Sequence, residues 1–201
     1  MKTFNLLFLV ASLLLVVSST MHQVHAILGL DLSYFQGEVS QDSWKCLHDK
    51  GYQFAIIQAY RSNGVTNPYV ATDIARAKAA GFKNVDIYVF PSFAKGIASA
   101  GTQLKTAVEA ARSKGQNFGM VWIDIEESKL WGNCSSNQAF LRGMLHAGEA
   151  MGLHLGIYSS AYQWTGIMCS STEFSHYPIW YSHYDNKPNF SDWKPFGGWT
   201  K

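Results

Sequence analysis

Short apolar segments alternate with longer amphipathic segments along most of this chain. Candidate strands, read from apolar runs, lie at residues 27–31, 54–58, 85–90, 120–124, 154–158 and 178–181, with a weaker one at 196–199. Apolar residues at helical spacing mark residues 41–50, 70–80, 98–113 and 137–151, and Gly51, Gly81 and Gly152 end three of these stretches. This alternation predicts an α/β fold with parallel strands and right-handed crossovers.

Polar side chains recur at the carboxyl ends of the predicted strands. They are Asp31, Gln58, Tyr60, Tyr88, Asp124, Glu126, Tyr158, Tyr184 and Asp185. In a barrel these ends surround a single mouth, where active sites of that architecture lie. A doubly wound nucleotide-binding sheet instead needs a glycine-rich phosphate loop after its first strand, which residues 29–37 do not provide. We therefore predict a (β/α) barrel, and we expect no cofactor.

Two carboxylates, Asp124 and Glu126, follow the apolar segment 121–123 with one residue between them. Residues two apart in a strand point to the same face, and their α-carbons are about 6.5–7 Å apart. Such a pair can carry out acid chemistry on a glycosidic bond. The alternative interpretation is a strand end whose acids cap the next helix or meet solvent.

The amino terminus has the pattern of a secretory signal peptide. Lys2 precedes an apolar run over residues 6–17, and small or polar residues lead to Ala26, where we place the cleavage site. The run is short for the roughly 20 residues that span a bilayer, so we expect no membrane anchor. The expected product is a secreted protein, or a lumenal one of the endolysosomal or phagosomal pathway.

Charge gives little indication of a polyanionic partner. Without residues 1–26 the chain has 15 basic and 14 acidic side chains, a net charge of +1, and no basic tract. We therefore expect no nucleic-acid partner. With no repeat after the signal, residues 27–201 are predicted to form one domain, and we expect a monomer.

Three cysteines indicate one disulfide and one remaining thiol. Cys134 and Cys169 follow two candidate strands in loop-like segments, so we predict that they pair and that Cys46, in a predicted helix, is left over. No Cys-x-x-Cys or His-x-x-x-His spacing occurs, so we expect no metal site. Asn133 and Asn189 begin glycosylation sequons.

Five segments together resemble the glycoside hydrolase family 25 lysozymes, in particular the secreted single-domain members of microbial eukaryotes. They are GLDLSYFQG at 29–37, FAIIQAY at 54–60, WIDIE at 122–126, LGIYSS at 155–160 and WYSHYD at 180–185. The resemblance implies a modified TIM-like (β/α) barrel that cleaves the β-1,4 bond between N-acetylmuramic acid and N-acetylglucosamine in bacterial peptidoglycan.

The same resemblance implies roles for individual residues. Glu126 is expected to be the general acid, Asp124 to orient the 2-acetamido group or stabilise the cationic transition state, and Asp31 to complete the acidic floor. The expected substrate-binding residues are Tyr88, Tyr158, Tyr184, Asp185 and Gln58. The tyrosines have a structural alternative as caps of the barrel core, and Asp185 as a turn former before residues 186–188.

One departure from the family pattern concerns the carboxyl terminus. Family members continue beyond the position of Lys201 with a strand and a further active-site acid, so we expect the last barrel strand to be missing from this chain. An alternative function is then an inactive homologue that binds peptidoglycan. A chitinase-type barrel is a weaker alternative, because Gly119 and Trp122 occupy two positions where those enzymes carry aspartates.

Overall fold

The computed structural model describes residues 27–94, 96–187 and 189–200. The predicted signal peptide and its cleavage site at Ala26 lie outside these residues. The described part is an α/β fold with one six-stranded sheet. The strands are β1 (Gly29–Leu32), β2 (Phe54–Tyr60), β3 (Asn84–Val89), β4 (Met120–Asp124), β5 (His154–Ser159) and β6 (Ile179–Tyr181).

All six strands run parallel in the order of the chain, and the sheet curls into a half-barrel. Within the described residues β1 pairs only with β2, and β6 pairs only with β5. The barrel expected from the sequence is therefore confirmed as a modified TIM-like fold with incomplete closure. All carboxyl ends of the strands lie along one rim of the curl.

Five helices accompany the strands. They are α1 (Gln41–Asp49), α2 (Val70–Ala79), α3 (Ala100–Arg112), α4 (Cys134–Ala150) and α5 (Ala161–Met168). Side chains of Ser40, Ser99, Asn133 and Ser160 accept a hydrogen bond from a backbone N–H in the first turn of their helices, which fixes four of the five starting points. The sequence pattern predicted α1 to α4 but not α5.

The main apolar core lies between the convex face of the sheet and the helices. Alternate strand residues such as Ile57, Ile87, Ile123 and Ile157 are fully buried there. Because side chains alternate across a strand, the residues between them face the concave side of the curl. The concave side carries the polar groups from which the functional site is built.

The weak strand predicted at 196–199 is wrong. Phe196 and Trp199 form only an isolated antiparallel bridge, with the Trp199 N–H donating to the Phe196 carbonyl at 2.9 Å. The apolar pattern there reflects burial rather than strand pairing, because Trp199 packs at 4.8 Å from the ring of Trp164. The segment is a turn against α5.

The disulfide predicted between Cys134 and Cys169 is present, and it joins the first residue of α4 to the residue that ends α5. Their α-carbons are 5.9 Å apart, within the range that a disulfide spans. Cys46 is exposed on α1 and is a free thiol. The bond therefore fixes the two helices that flank β5.

A buried carboxylate holds α1 and α2 together near the loop that follows β1. Asp73 on α2 is 0% exposed, and its Oδ1 accepts hydrogen bonds from the Val39 N–H and the Trp44 indole N–H. Its Oδ2 has no hydrogen-bond partner in the described chain. Burial raises the pKa of Asp73 to about 6, although Arg76 opposes the shift and Glu38 adds to it.

We predict that Asp73 makes the fold less stable as pH rises. Its folded pKa of about 6 lies above the ordinary value of 3.8, so the protonated form is favoured in the folded state and stability falls between pH 4 and pH 6. Asp73→Asn should remove this decline in denaturant titrations at several pH values. Asp42→Asn, an exposed position in α1, should retain it, and an unchanged slope in Asp73→Asn would contradict the assignment.

Candidate active site

A cavity of about 320 Å³ opens at the carboxyl ends of the strands. Six of its lining residues were candidates from the sequence: Asp31, Tyr88, Asp124, Glu126, Tyr158 and Tyr184. The strand register explains part of this grouping, because Asp124 is paired with Tyr158 across β4 and β5. Residues at the same level of neighbouring parallel strands point to the same face.

Asp124, the last residue of β4, lies deepest among the acids. Its side chain is only 4% exposed, and its Oδ1 has no hydrogen-bond partner in the described residues. Burial raises the pKa of Asp124 well above its ordinary value, and the charges of Glu126 and Asp31 raise it further. A buried acceptor without a partner is costly, so this oxygen is available to a donor that enters the cavity.

Glu126 lies just beyond β4 and is half-buried. The backbone around it is held on two sides: the Trp131 indole N–H donates to the Glu126 carbonyl at 2.8 Å, and the Ile125 N–H donates to the Tyr158 carbonyl at 2.9 Å. Burial raises the pKa of Glu126, and the carboxylates of Glu127 and Asp31 raise it further. Glu126 is therefore a carboxyl group at the edge of the cavity whose pKa lies above its ordinary value.

The residue after Glu126 has an unusual backbone conformation. Glu127 has φ 57° and ψ 66°, in the left-handed region that non-glycine residues seldom occupy. This turn ends the extended path of β4 and starts the short helical turn Ser128–Leu130. The chain thus leaves the sheet directly after it has delivered Glu126 to the rim.

Tyrosine hydroxyl groups supply neutral donors beside the acids. The Tyr158 hydroxyl donates to Ser182 Oγ at 3.1 Å and lies 3.4 Å from the Tyr184 hydroxyl. Burial is the main cause that raises the pKa of Tyr88 and of Tyr158, and nearby carboxylates contribute. Both therefore remain protonated donors, while Tyr184 is 90% exposed at the outer edge.

Two residues expected to bind substrate lie outside this cavity. Gln58 is buried, and its Oε1 accepts the Tyr34 N–H at 2.9 Å, so it positions the loop after β1. Asp185 accepts the Lys187 N–H at 2.9 Å through Oδ1, a contact typical of a turn-forming aspartate. It lines a neighbouring pocket between β1 and the segment after β6.

Other cavity residues were not among the sequence candidates. Trp180, Tyr181, Ser182 and His183 line the cavity as β6 ends. His183 stacks on Tyr181 and lies 2.8 Å from Asp192 through Nε2. Their only signal in the sequence was their position within the WYSHYD segment.

A second pocket of about 320 Å³ continues from Glu126 and Tyr158 toward Ser160 and Gln163.

Trp122 lies two residues before Asp124 on β4, so it faces the same concave side below the cavity. Its indole N–H donates to Asp86 Oδ2 at 3.0 Å. On β5, Gly156 lies directly against the same ring, since a Cβ there would lie 2.4 Å from a ring carbon. Gly156 therefore leaves the space that Trp122 occupies beneath Asp124 and Tyr158.

Comparison with known proteins places the chain in a family. A family model described as "Lysozyme-like protein 1" matches residues 23–201. Probable GH family 25 lysozyme 2 of Dictyostelium discoideum is 40% identical over 177 residues, which cover 88% of this chain and 81% of that protein. The chain belongs to the glycoside hydrolase family 25 lysozymes. It is therefore a glycoside hydrolase by family.

More distant relatives agree with this membership. Lysozyme-like protein 5 of Caenorhabditis elegans is 33% identical over 174 residues, covering 86% of this chain and 80% of that protein. A family GH25 lysozyme from Aspergillus fumigatus has a similar structure, with a TM-score of 0.67, 20% identity, and coverage of 86% of this chain and 82% of that one. At that identity the structural similarity supports the fold alone.

None of the helices in the described ranges is both long and apolar enough to span a membrane.

We predict that Gly156→Ala destabilises the site from below. The added Cβ collides with the Trp122 ring, and overpacking of this kind typically lowers the free energy of unfolding by about 1–3 kcal/mol. Gly166→Ala in α5 is the matched control, because nothing lies within 4 Å of a Cβ there. Denaturant titration should show a loss for the first variant and no loss for the second, and equal stability of both would contradict the packing argument.

Proposed function

We propose that this family 25 chain is a secreted muramidase that hydrolyses the β-1,4 bond between N-acetylmuramic acid and N-acetylglucosamine in bacterial peptidoglycan. The observation that carries the proposal is a buried Asp124 and a half-buried Glu126 in one cavity with tyrosine hydroxyl groups. Similar proteins support the reaction class, since they are described as lysozymes and muramidases. Residues 1–26 support export.

Glu126 is the proposed general acid. Its carboxyl group donates a proton to the glycosidic oxygen while the bond between that oxygen and the anomeric carbon breaks, and the bonding electrons remain on the departing sugar. A raised pKa suits this role because the acid must hold its proton until the transition state. Burial and the charges of Glu127 and Asp31 provide that shift.

Asp124 is proposed to act on the other side of the broken bond. Its ionised form stabilises the positive charge at the anomeric carbon, or accepts the N–H of the 2-acetamido group and aligns that group for attack. Two interacting carboxyl groups titrate as a pair. In the free protein the deeper Asp124 favours the proton. A substrate N–H or developing cation favours its anion and leaves the proton on Glu126.

Water completes the cycle. It adds to the anomeric carbon, and its proton returns to Glu126, so the protein is unchanged at the end. Asp31 contributes negative charge to the cavity, and the hydroxyl groups of Tyr88 and Tyr158 are proposed to bind sugar oxygens. The adjoining pocket at Ser160 and Gln163 has room for the sugar on the far side of the acid.

A binding protein without turnover is the second candidate. The observation in its favour is the open sheet, because β1 and β6 do not pair with each other in the described residues. An open half-barrel holds Asp31 on β1 less firmly against Asp124 on β4 than a closed one does. The two candidates differ in whether the purified chain clears peptidoglycan.

We predict that Glu126→Gln abolishes clearing of a peptidoglycan suspension. The amide cannot donate the proton, and loss of a general acid typically costs roughly 10²–10⁴-fold in rate. Turbidity should fall with the parent and remain constant with the variant. Glu109→Gln, an exposed charge-matched change on α3, should clear like the parent. Equal clearing by parent and Glu126→Gln would reject the enzymatic role, and sedimentation with peptidoglycan without clearing by either would favour the binding protein.

We also predict that Glu127→Gln moves the upper limb of the pH profile to lower pH. The Glu127 carboxylate raises the pKa of Glu126, so its removal lets Glu126 lose its proton at lower pH. The check is the rate of clearing measured from pH 3 to pH 8 at constant ionic strength. A shift in the opposite direction would contradict Glu126 as the proton donor.

A further inference from the structure

An arginine is stacked on an aromatic ring at the rim of the half-barrel, outside the catalytic cavity. The Arg61 guanidinium carbon lies 3.6 Å from the centre of the Tyr34 ring. Tyr34 in turn is parallel to Tyr69, with ring centres 6.0 Å apart and an interplanar angle of 11°. Stacking on an aromatic face restricts the orientation of a guanidinium group.

The backbone on both sides of this stack is fixed. The Tyr34 N–H donates to Gln58 Oε1, and Gln58 is paired in register with Tyr88 of the cavity wall. The Arg61 N–H donates to the Val65 carbonyl at 2.9 Å, which closes the turn after β2. The stack is therefore built on the same rigid sheet as the catalytic cavity.

Arg61 has no carboxylate partner among the described residues. Arg76 and Arg142 form ion pairs with Glu38 and Glu173 at 2.7 Å and 2.6 Å, whereas Arg61 forms none within 4.0 Å. The Arg61 side chain also makes no hydrogen bond in this part of the chain. Its N–H groups are thus free to bind an anion in a planar, two-point arrangement.

The stack lies at the same end of the sheet as the acids, because Tyr34 follows β1 and Arg61 follows β2. Tyr34 follows Asp31 by three residues, so their α-carbons are at most about 10 Å apart. Phe35, beside Tyr34 with ring centres 5.8 Å apart, is 87% exposed. The acids that line the cavity give an anion no cationic partner, so an anionic substituent of a bound sugar is favoured at this cationic rim rather than inside.

We propose that Arg61, held by Tyr34, binds a carboxylate of the peptide attached to the glycan strand. The inference depends on the proposed function, because it assumes that peptidoglycan occupies the cavity. The sugar units offer neutral hydroxyl and acetamide groups, whereas the attached peptide carries carboxylates that match a guanidinium group. The site selects glycan strands that bear anionic peptides.

The experiment compares two substrates with two proteins. The substrates are intact peptidoglycan and the same material with its carboxyl groups converted to methyl amides. For the parent, amidation should raise KM roughly tenfold or more, because a charge-assisted hydrogen bond is lost, while kcat stays the same. On both substrates, Arg61→Gln should have the KM that the parent has on amidated peptidoglycan. The effects of amidation and of the substitution on KM should therefore not add.

Two further variants separate recognition from folding. Arg61→Lys keeps the charge but not the planar geometry, so it should recover part of the affinity for intact peptidoglycan. Arg112→Gln is the matched control, since its guanidinium lies 5.2 Å from the Phe118 ring after α3, at the opposite end of the sheet. It should leave KM unchanged on both substrates.

The outcomes distinguish this inference from the proposed function. If the parent clears neither substrate, the proposed function fails. If the parent is active and Arg61→Gln responds to amidation as the parent does, the carboxylate contact is rejected. For each substrate, the KM of Arg61→Gln can be compared with the KM of the parent on that same substrate. If the substitution raises KM by the same factor on both substrates, Arg61 contacts a neutral sugar group or stabilises its loop, and the proposal is rejected.

Discussion

The parallel pairing of β3, β4 and β5 is the constraint on which the rest of this structure depends. It places Tyr88, Asp124 and Tyr158 on the concave face at the same end of the sheet. The opposite face is apolar and buried under the helices, so the strands cannot rotate or slip by one residue without exposing the core. The geometry of the cavity is thus stabilised by apolar packing on the other side of the same strands.

Electrostatics in the cavity follow from that geometry. The sheet removes Asp124 from water, and no positive group in the described chain is paired with it, so its carboxyl group favours the protonated form. Glu126 is less buried but near other acids, and its pKa rises as well. Crowding of carboxyl groups is unfavourable for stability, and the core beneath the convex face offsets that cost.

The basic side chains near the site contact groups other than Asp124 and Glu126. Arg61 stacks on Tyr34 outside the cavity, and His183 is paired with Asp192 on the segment after β6. Neither neutralises Asp124 or Glu126 directly. A cavity of acids with raised pKa values and a guanidinium group at its rim matches the proposed substrate, a glycan strand of neutral sugars with acidic peptides attached.

The repeating strands and helices, the parallel sheet and the end of the sheet with the polar groups could all be predicted from the sequence, because apolar periodicity reports burial directly. The sequence also indicated Asp124, Glu126 and the disulfide. It missed α5, which is short and without a clear apolar period, and it mistook the buried turn at Phe196 for a strand. Only the tertiary structure separated Gln58 and Asp185 from the cavity and brought Trp180 and His183 into it. Whether a polar side chain binds the backbone or faces a cavity depends on contacts between residues far apart in the chain, and local spacing carries no information about those contacts.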